Sequence, residues 1–469
     1  MLNPDVKLIE IDWPDFGPVP APPAQTEAEE LTRRLAAART LMERAGYTHL
    51  VVYGDREHFA NLAYLTGFDP RFEEALLILS AEPKPLLMVG NESLGYLPIS
   101  ALYRAGGLRV ERYPTFSLLG QPRGGSRQLR EILASEKIAP PSRVGCVGWK
   151  YQSAAEHPDA SHACDLPSYI VDALRSLAGY EQVLNATDLL MHPDYGMRAT
   201  CTAEEIAYFE YAGILASEGV KRMLLGLKPG MLDYEVAQLA QLNGMPLGCH
   251  LTLVTGDTRD CGMNSPIGVP VRRGEPFATN VCYWGSNVCR AGWAAEGADD
   301  LPPSARDYVP AFAAPYFSAV GAWYEALRLG TPGGKLQQII NDRLPFEQFG
   351  ITLNPGHLIH LDEWLSSPIY PGSDIPLSSG MAIQVDIIPS SPTYFSSRME
   401  DGMVLADAAL QRELATRYPD CYQRCLARRA WMRGTLGLPV SDDVLPLSNI
   451  PAYVPPYFLA PHAVLAQAH

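Results

Sequence analysis

The segment NPGHLIHLDEW, Asn354 to Trp364, gathers two histidines and two acidic residues into one short stretch. Imidazole and carboxylate together can hold a divalent ion or pass a proton, and residue type alone does not choose between these. Two more carboxylates stand out further along. Asp386 sits inside the apolar run AIQVDIIP, and Glu400 opens the run MEDGMVLAD. A carboxylate in a buried strand destabilises the fold unless a partner or ligand meets it, so both are functional candidates. His357 follows the turn NPG and leads into a further apolar run. One histidine and two carboxylates on separate elements suffice for one metal ion, for acid and base catalysis, or for a hydrogen-bonded cluster with neither role.

The elements that must position these groups follow from periodicity. The pattern TEAEELTRRLAAARTLMERAG places Leu31, Leu35, Ala38, Leu41 and Met42 on one stripe and stops at Gly46, which predicts a helix. The runs THLVVYG, ALLILS, PLLMVG and RVGCVG read as buried strands, so residues 27 to about 185 are expected to form an α/β domain. Pro and Gly interrupt the pattern in MHPDYGMRATCTAEE, and Thr202 with Glu205 gives a capping-box start for a long helix. A shorter helix, LDYEVAQLAQLNG, is expected next. Strands CHLTLVTGD and EPFATNVCYWG, a helix around ARDYVPAFAAPYFSAVGAWYEALRLG, and strands MAIQVDIIP and GMVLAD then predict an α+β second half. The expected division is an extended arm (1–26), an α/β domain (27–195), an α+β domain (196–435) and a Pro-rich tail (436–469).

Composition sets the outer bounds. A chain of 469 residues, 47% of them hydrophobic, can bury cores for two domains. A net charge of −15 argues against nucleic acid and anionic membranes as partners, since both select basic surfaces. No apolar run approaches the roughly 18 residues of a membrane span, and no signal segment is visible, so a cytoplasmic location is expected. The nine cysteines show no CxxC pair and read as reduced, mostly buried thiols, Cys421 and Cys425 among them.

Several motifs in a fixed order carry a resemblance. REHFANLAYLTGFDPR, TAEEIAYFEYAGILASEGV, LKPGMLDYEVAQL, LVTGDTRDCGMNSPIGVPVRRGE, GHLIHL, SGMAIQVDIIP and RMEDGMVLAD together resemble the pita-bread family of methionine aminopeptidase, aminopeptidase P, prolidase and creatinase. The resemblance implies a carboxy-terminal pita-bread domain preceded by a creatinase-like amino-terminal α/β domain, in a homodimer. In the family's peptidases two metal ions are held by Asp, Asp, His, Glu and Glu. Here the aspartate positions fall at Asn280 and Asn287, the histidine at His357, and the last two ligands at Asp386 and Glu400.

Those replacements remove two negative charges, so the expectation is no metal or one divalent ion on His357, Asp386 and Glu400, with Asn287 as a weak further donor. Two proton-handling histidines of the family fall at Met263 and Trp364, and neither side chain transfers a proton. His360, Glu363, Asp362 and His250 lie nearby, although alternation aims His360 away from His357. Cys289 lacks a basic partner in sequence and reads as packing. Arg290 is expected to orient Asp386 or Glu400. Arg71 is expected to anchor a substrate carboxylate, because in creatinase-type dimers a loop from the smaller domain reaches the partner's site. With Asn287, Arg290, His360 and Trp364, Arg71 completes the expected substrate-binding set around catalytic His357, Asp386 and Glu400. The functional expectation is a noncanonical hydrolase, or lyase, acting on a small amino-acid-derived or N-substituted compound. The alternatives are a noncatalytic binding protein and an Xaa-Pro peptidase with one metal.

Overall fold

A computed structural model of the chain describes residues 5–24 and 26–468. Positions 1–4 and 25 of the expected arm, and 469 of the tail, lie outside the described residues. The chain divides into two compact units, Ala24–Arg198 and a second made of Met1–Pro23 with Ala199–His469.

The first unit is built on a six-stranded sheet in the order β5-β4-β3-β2-β6-β7. Its strands are β2 (His49–Gly54), β3 (Ala75–Leu79), β4 (Leu86–Val89), β5 (Arg109–Arg112), β6 (Val144–Val147) and β7 (Val183–Asn185). β2, β3, β4 and β6 are the four apolar runs read from sequence. All their residues are buried, which explains continuous rather than alternating hydrophobicity. Helix Ala28–Arg44 buries Leu31, Leu35, Ala38 and Met42, and Gly46 follows it in the left-handed region at φ 75°.

The second unit carries a seven-stranded sheet ordered β11-β12-β13-β10-β9-β8, with β14 added beside β13. The strands are β8 (Leu253–Thr255), β9 (Glu275–Tyr283), β10 (Ser286–Ala294), β11 (His357–Leu358), β12 (Ala382–Asp386), β13 (Arg398–Leu405) and β14 (Val444–Pro446). Helix Ala203–Gly226 packs on β9 and β10, and it begins with the predicted capping box of Thr202 and Glu205. The second expected helix is shorter than its pattern, Asp233–Gln238.

The tight hairpin joining β9 to β10 fixes the register of the site. Tyr283 pairs with Ser286, leaving only Trp284 and Gly285 in the turn. Gly285 has φ 87°, and a Cβ there would lie 2.1 Å from Phe209 Cδ1, so both backbone conformation and packing demand glycine.

The arm and tail are not separate segments. β1 (Val6–Glu10) pairs antiparallel with β15 (Ala463–Gln467), and β14 extends the large sheet. Ile450, Tyr453, Val454, Val464 and Leu465 are all buried, so the tail contributes core despite its prolines. Proline-rich spacing hid this, because it breaks the alternation that marks a strand.

Candidate active site

Strand pairing brings the predicted residues to one face of the second sheet. Asn280 on β9 is opposite Cys289 on β10, Cys289 is opposite Glu400 on β13, and Glu400 is opposite Asp386 on β12. Directly paired residues share a face, and so do residues two apart on a strand. Asn287 therefore joins Cys289 on that face, and Gln384 joins Asp386. His357 is opposite Gln384, which completes the row.

The three central side chains converge. Ligand atoms of His357, Asp386 and Glu400 lie within 4.8 Å of one another, and all three residues are buried. His357 Nε2 is 3.8 Å from Glu400 Oε1 and 4.0 Å from Asp386 Oδ2, too far for hydrogen bonds. His357 Nε2, Asp386 Oδ1 and Glu400 Oε1 are buried without hydrogen-bond partners. The other imidazole nitrogen, Nδ1, donates to the carbonyl of Leu358 at 3.2 Å, which orients the ring with Nε2 toward the carboxylates. Ligands at about 2.1 Å from a tetrahedral ion stand about 3.4 Å apart, so His357 Nε2 at 3.8 Å and 4.0 Å from the two carboxylate oxygens would close by about 0.4 and about 0.6 Å around one ion. The residues present fit a single divalent cation.

Electrostatics agree with that fit. Burial pushes the Asp386 carboxyl above its ordinary pKa, with His357 and Arg398 opposing the shift. Burial also pushes Glu400 well up, and the neighbouring charges of Asp386 and Glu363 push it further. Both groups therefore favour a proton or a cation. Arg398 supplies one fixed positive charge nearby. Its Nη2 donates to Cys289 Sγ at 2.7 Å. Burial lowers its pKa, but Cys289, Asp386 and Glu400 together more than reverse this. Cys289 is pushed up to about 12 by burial, so it is a thiol, in keeping with a packing role.

The two asparagines are turned as donors rather than ligands. Asn280 Oδ1 accepts from Thr252 N at 2.6 Å and Thr252 Oγ1 at 2.9 Å, so its carbonyl is occupied. Asn280 Nδ2 donates to Asn287 Oδ1 at 3.2 Å. Asn287 Nδ2 in turn donates to Glu400 Oε2 at 2.9 Å and to Glu363 Oε1 at 3.3 Å. The expectation of Asn287 as a metal donor is corrected: its oxygen faces away, and its amide nitrogen bridges two carboxylates.

Other expected residues are placed differently. Trp364 stacks on the His357 ring at 4.1 Å between centroids and walls the site. Arg290 does not touch the Asp386 or Glu400 carboxylate. It pairs with Asp401 at 2.9 Å and donates to the backbone carbonyls of Cys289, Glu400 and Ile450, because it points to the opposite sheet face. His360 is not brought to the cluster either. Its Nε2 is 3.1 Å from Glu205 Oε1 beside Cys201, on the helix side of the segment. Glu205 Oε2 already accepts from Thr202 N and Oγ1, so the carboxylate of this second buried group is engaged at the helix start. Arg71, in the first unit, is engaged by Asp69 at 3.1 Å and by the Tyr96 hydroxyl. Met263 is exposed, and its carbonyl is 2.9 Å from His250 Nε2.

Two residues at the site were not singled out from sequence. Glu363, noted only as nearby, lies 3.7 Å from His357 Nε2. Arg398, two residues before Glu400, shares its face by strand alternation, a signal that the sequence did carry.

A sheet wrapped by helices, with a histidine and two carboxylates converging on one face and a smaller α/β unit before it, defines the pita-bread class. The chain has this fold, of the creatinase and aminopeptidase P type. It is similar to dipeptidase PepE from Mycobacterium ulcerans, at 20% identity and a TM-score of 0.62, covering 82% of this chain and 95% of that one. A recombinant prolidase from Thermococcus sibiricus gives a TM-score of 0.63 at 16% identity, covering 82% of this chain and 96% of that one. An Xaa-Pro dipeptidase from Bacillus anthracis gives 0.59 at 14% identity, covering 82% of this chain and 96% of that one. These likenesses establish the fold. No family model and no curated protein matches the chain. No helix among the described residues is long and apolar enough to cross a membrane.

Proposed function

We propose that this chain is a hydrolase of a carbon–nitrogen bond in a small amino-acid-derived substrate, working with one divalent ion rather than two. The observation that carries the reading is the convergence of His357, Asp386 and Glu400, whose ligand atoms lie within 4.8 Å of one another and each of which has a buried, unpartnered atom, Nε2, Oδ1 and Oε1 respectively. Leaving such atoms unmet costs about 1–3 kcal/mol each, more for charged groups, so the arrangement calls for a cation among them. When bound, the ion supplies Lewis-acid polarisation of a carbonyl. The asparagine pair removes the carboxylates that a second ion would need.

The remaining chemistry belongs to side chains. Glu400 is the acid–base group. Facing the cluster, it is placed to take a proton from attacking water and return it to the leaving nitrogen. Asn287 fixes Glu400 through Oε2 and leaves Oε1 facing the cluster. Trp364, stacked on His357, excludes water from one side of the imidazole. Likeness to a structure named as an Xaa-Pro dipeptidase makes short peptides ending in proline the first substrates to test, followed by N-substituted amino acids. The expected homodimer is part of this reading.

The test is hydrolysis of such a panel by the metal-supplemented protein, with Glu400→Gln as control. Turnover reduced about a thousandfold or more in the variant is expected. No turnover of any panel member, or an undiminished rate in the variant, would overturn the reading.

A further inference from the structure

We propose that Glu363 is the specificity carboxylate of this site and that it takes the protonated amino group of the substrate. The inference rests on the hydrolase reading and names the end of the substrate that the site holds. The side chains of His357, Asp386 and Glu400 are 0%, 8% and 5% exposed, whereas that of Glu363 is 26% exposed. Glu363 thus stands on the open side of a closed cluster, where a ligand meets it before the buried groups.

Its partners leave it ready for a cation. Glu363 Oε1 accepts one hydrogen bond, from Asn287 Nδ2. Among the described residues its ion-pair partner is His357 alone, at 3.7 Å. None of the described lysines or arginines is ion-paired with it. An ammonium group offers three donors and a positive charge, and so supplies what this carboxylate lacks. A carboxylate or phosphate at the same place would face repulsion from Glu363, Asp386 and Glu400 together.

The hydrogen-bond relay behind Glu363 argues for a built position rather than a loosely solvated side chain. Thr252 fixes Asn280, Asn280 fixes the Asn287 amide, and that amide gives one hydrogen to Glu363 and the other to Glu400. One donor therefore sets the spacing between the substrate-facing carboxylate and the acid–base carboxylate. Glu363 is not a fourth member of the ion cluster, since the converging set comprises His357, Asp386 and Glu400. An amine anchored at Glu363 would place the adjacent carbonyl toward Glu400.

The experiment compares wild type, Glu363→Gln and Glu363→Asp on Ala-Pro and N-acetyl-Ala-Pro. It uses initial rates and, independently of turnover, calorimetric binding, with Co²⁺ loading measured on each protein. Wild type is expected to favour the free amine by about tenfold or more, the range of a charge-assisted hydrogen bond. Glu363→Gln should lose that preference through KM, Glu363→Asp should regain part of it, and Co²⁺ loading should be unchanged in both. Retention of the preference in Glu363→Gln, no preference in wild type, no binding of either peptide, or loss of Co²⁺ in Glu363→Gln each overturns the inference. A missing preference with turnover intact leaves the hydrolase reading standing. A calorimetric preference without turnover leaves Glu363 standing and removes the hydrolase.

Discussion

Replacing Asn287 by aspartate puts the donor relay to a quantitative test. The substitution deletes the hydrogen bonds to Glu400 Oε2 and Glu363 Oε1 and sets a carboxylate 2.9 Å from one carboxylate and 3.3 Å from the other. At an effective dielectric constant of about 20, two unit charges at 3 Å repel by about 5 kcal/mol. Proton uptake caps this. Keeping a carboxyl of ordinary pKa near 4 protonated at pH 7 costs about 4 kcal/mol, so a loss of roughly 3–4 kcal/mol is expected in ion-free protein. The introduced carboxyl has a folded pKa above its unfolded one, so the destabilisation grows as pH rises above about 4 and shrinks below it. Thermal unfolding of chelator-treated protein should show a fall in Tm of roughly 6–8 °C at pH 7, at about 2 °C per kcal/mol for a unit of this size. Divalent ion should recover much of it, and Asn280→Asp combined with Asn287→Asp should raise the bound ions from one to two. An unchanged Tm without metal, or the same loss with and without metal, would show that Asn287 is not the donor that holds the two carboxylates together.

Other outcomes follow from the same geometry. Ion-free wild type should lose stability as pH rises from about 4.5, because Glu400 binds a proton more tightly folded than unfolded; denaturant titration should show divalent ion removing this slope. Arg290→Ala strands the buried Asp401 carboxylate and should cost about 3–5 kcal/mol in denaturant unfolding, with ion stoichiometry unchanged in the folded fraction. Gly285→Ala should destabilise by about 2 kcal/mol or more, and Phe209→Ala in the same chain should relieve part of the clash.

Much of the fold was legible in the sequence because burial leaves a period. Fully buried strands read as apolar runs, and the Thr202–Glu205 capping box marked its helix start. Asp386 and Glu400 were legible because carboxylates interrupt apolar strands. The ordered motifs then supplied His357, which alone is one histidine among ten. Amide orientation was not legible, since an asparagine is donor and acceptor until its neighbours decide, and Thr252 lies on a separate segment just before β8. Arg290 was misassigned because its role depends on which sheet face it takes. Glu363 was undervalued for a similar reason, as its contact with Asn287 spans two distant segments. The paired arm and tail escaped notice because their pairing joins opposite ends of the chain.

The central claim is one ion, held by His357, Asp386 and Glu400. Calorimetric titration of Co²⁺ into chelator-treated protein tests it most directly. One equivalent per chain, abolished by His357→Ala, is expected; two equivalents, none, or one that survives His357→Ala would rule out a single ion on these three residues.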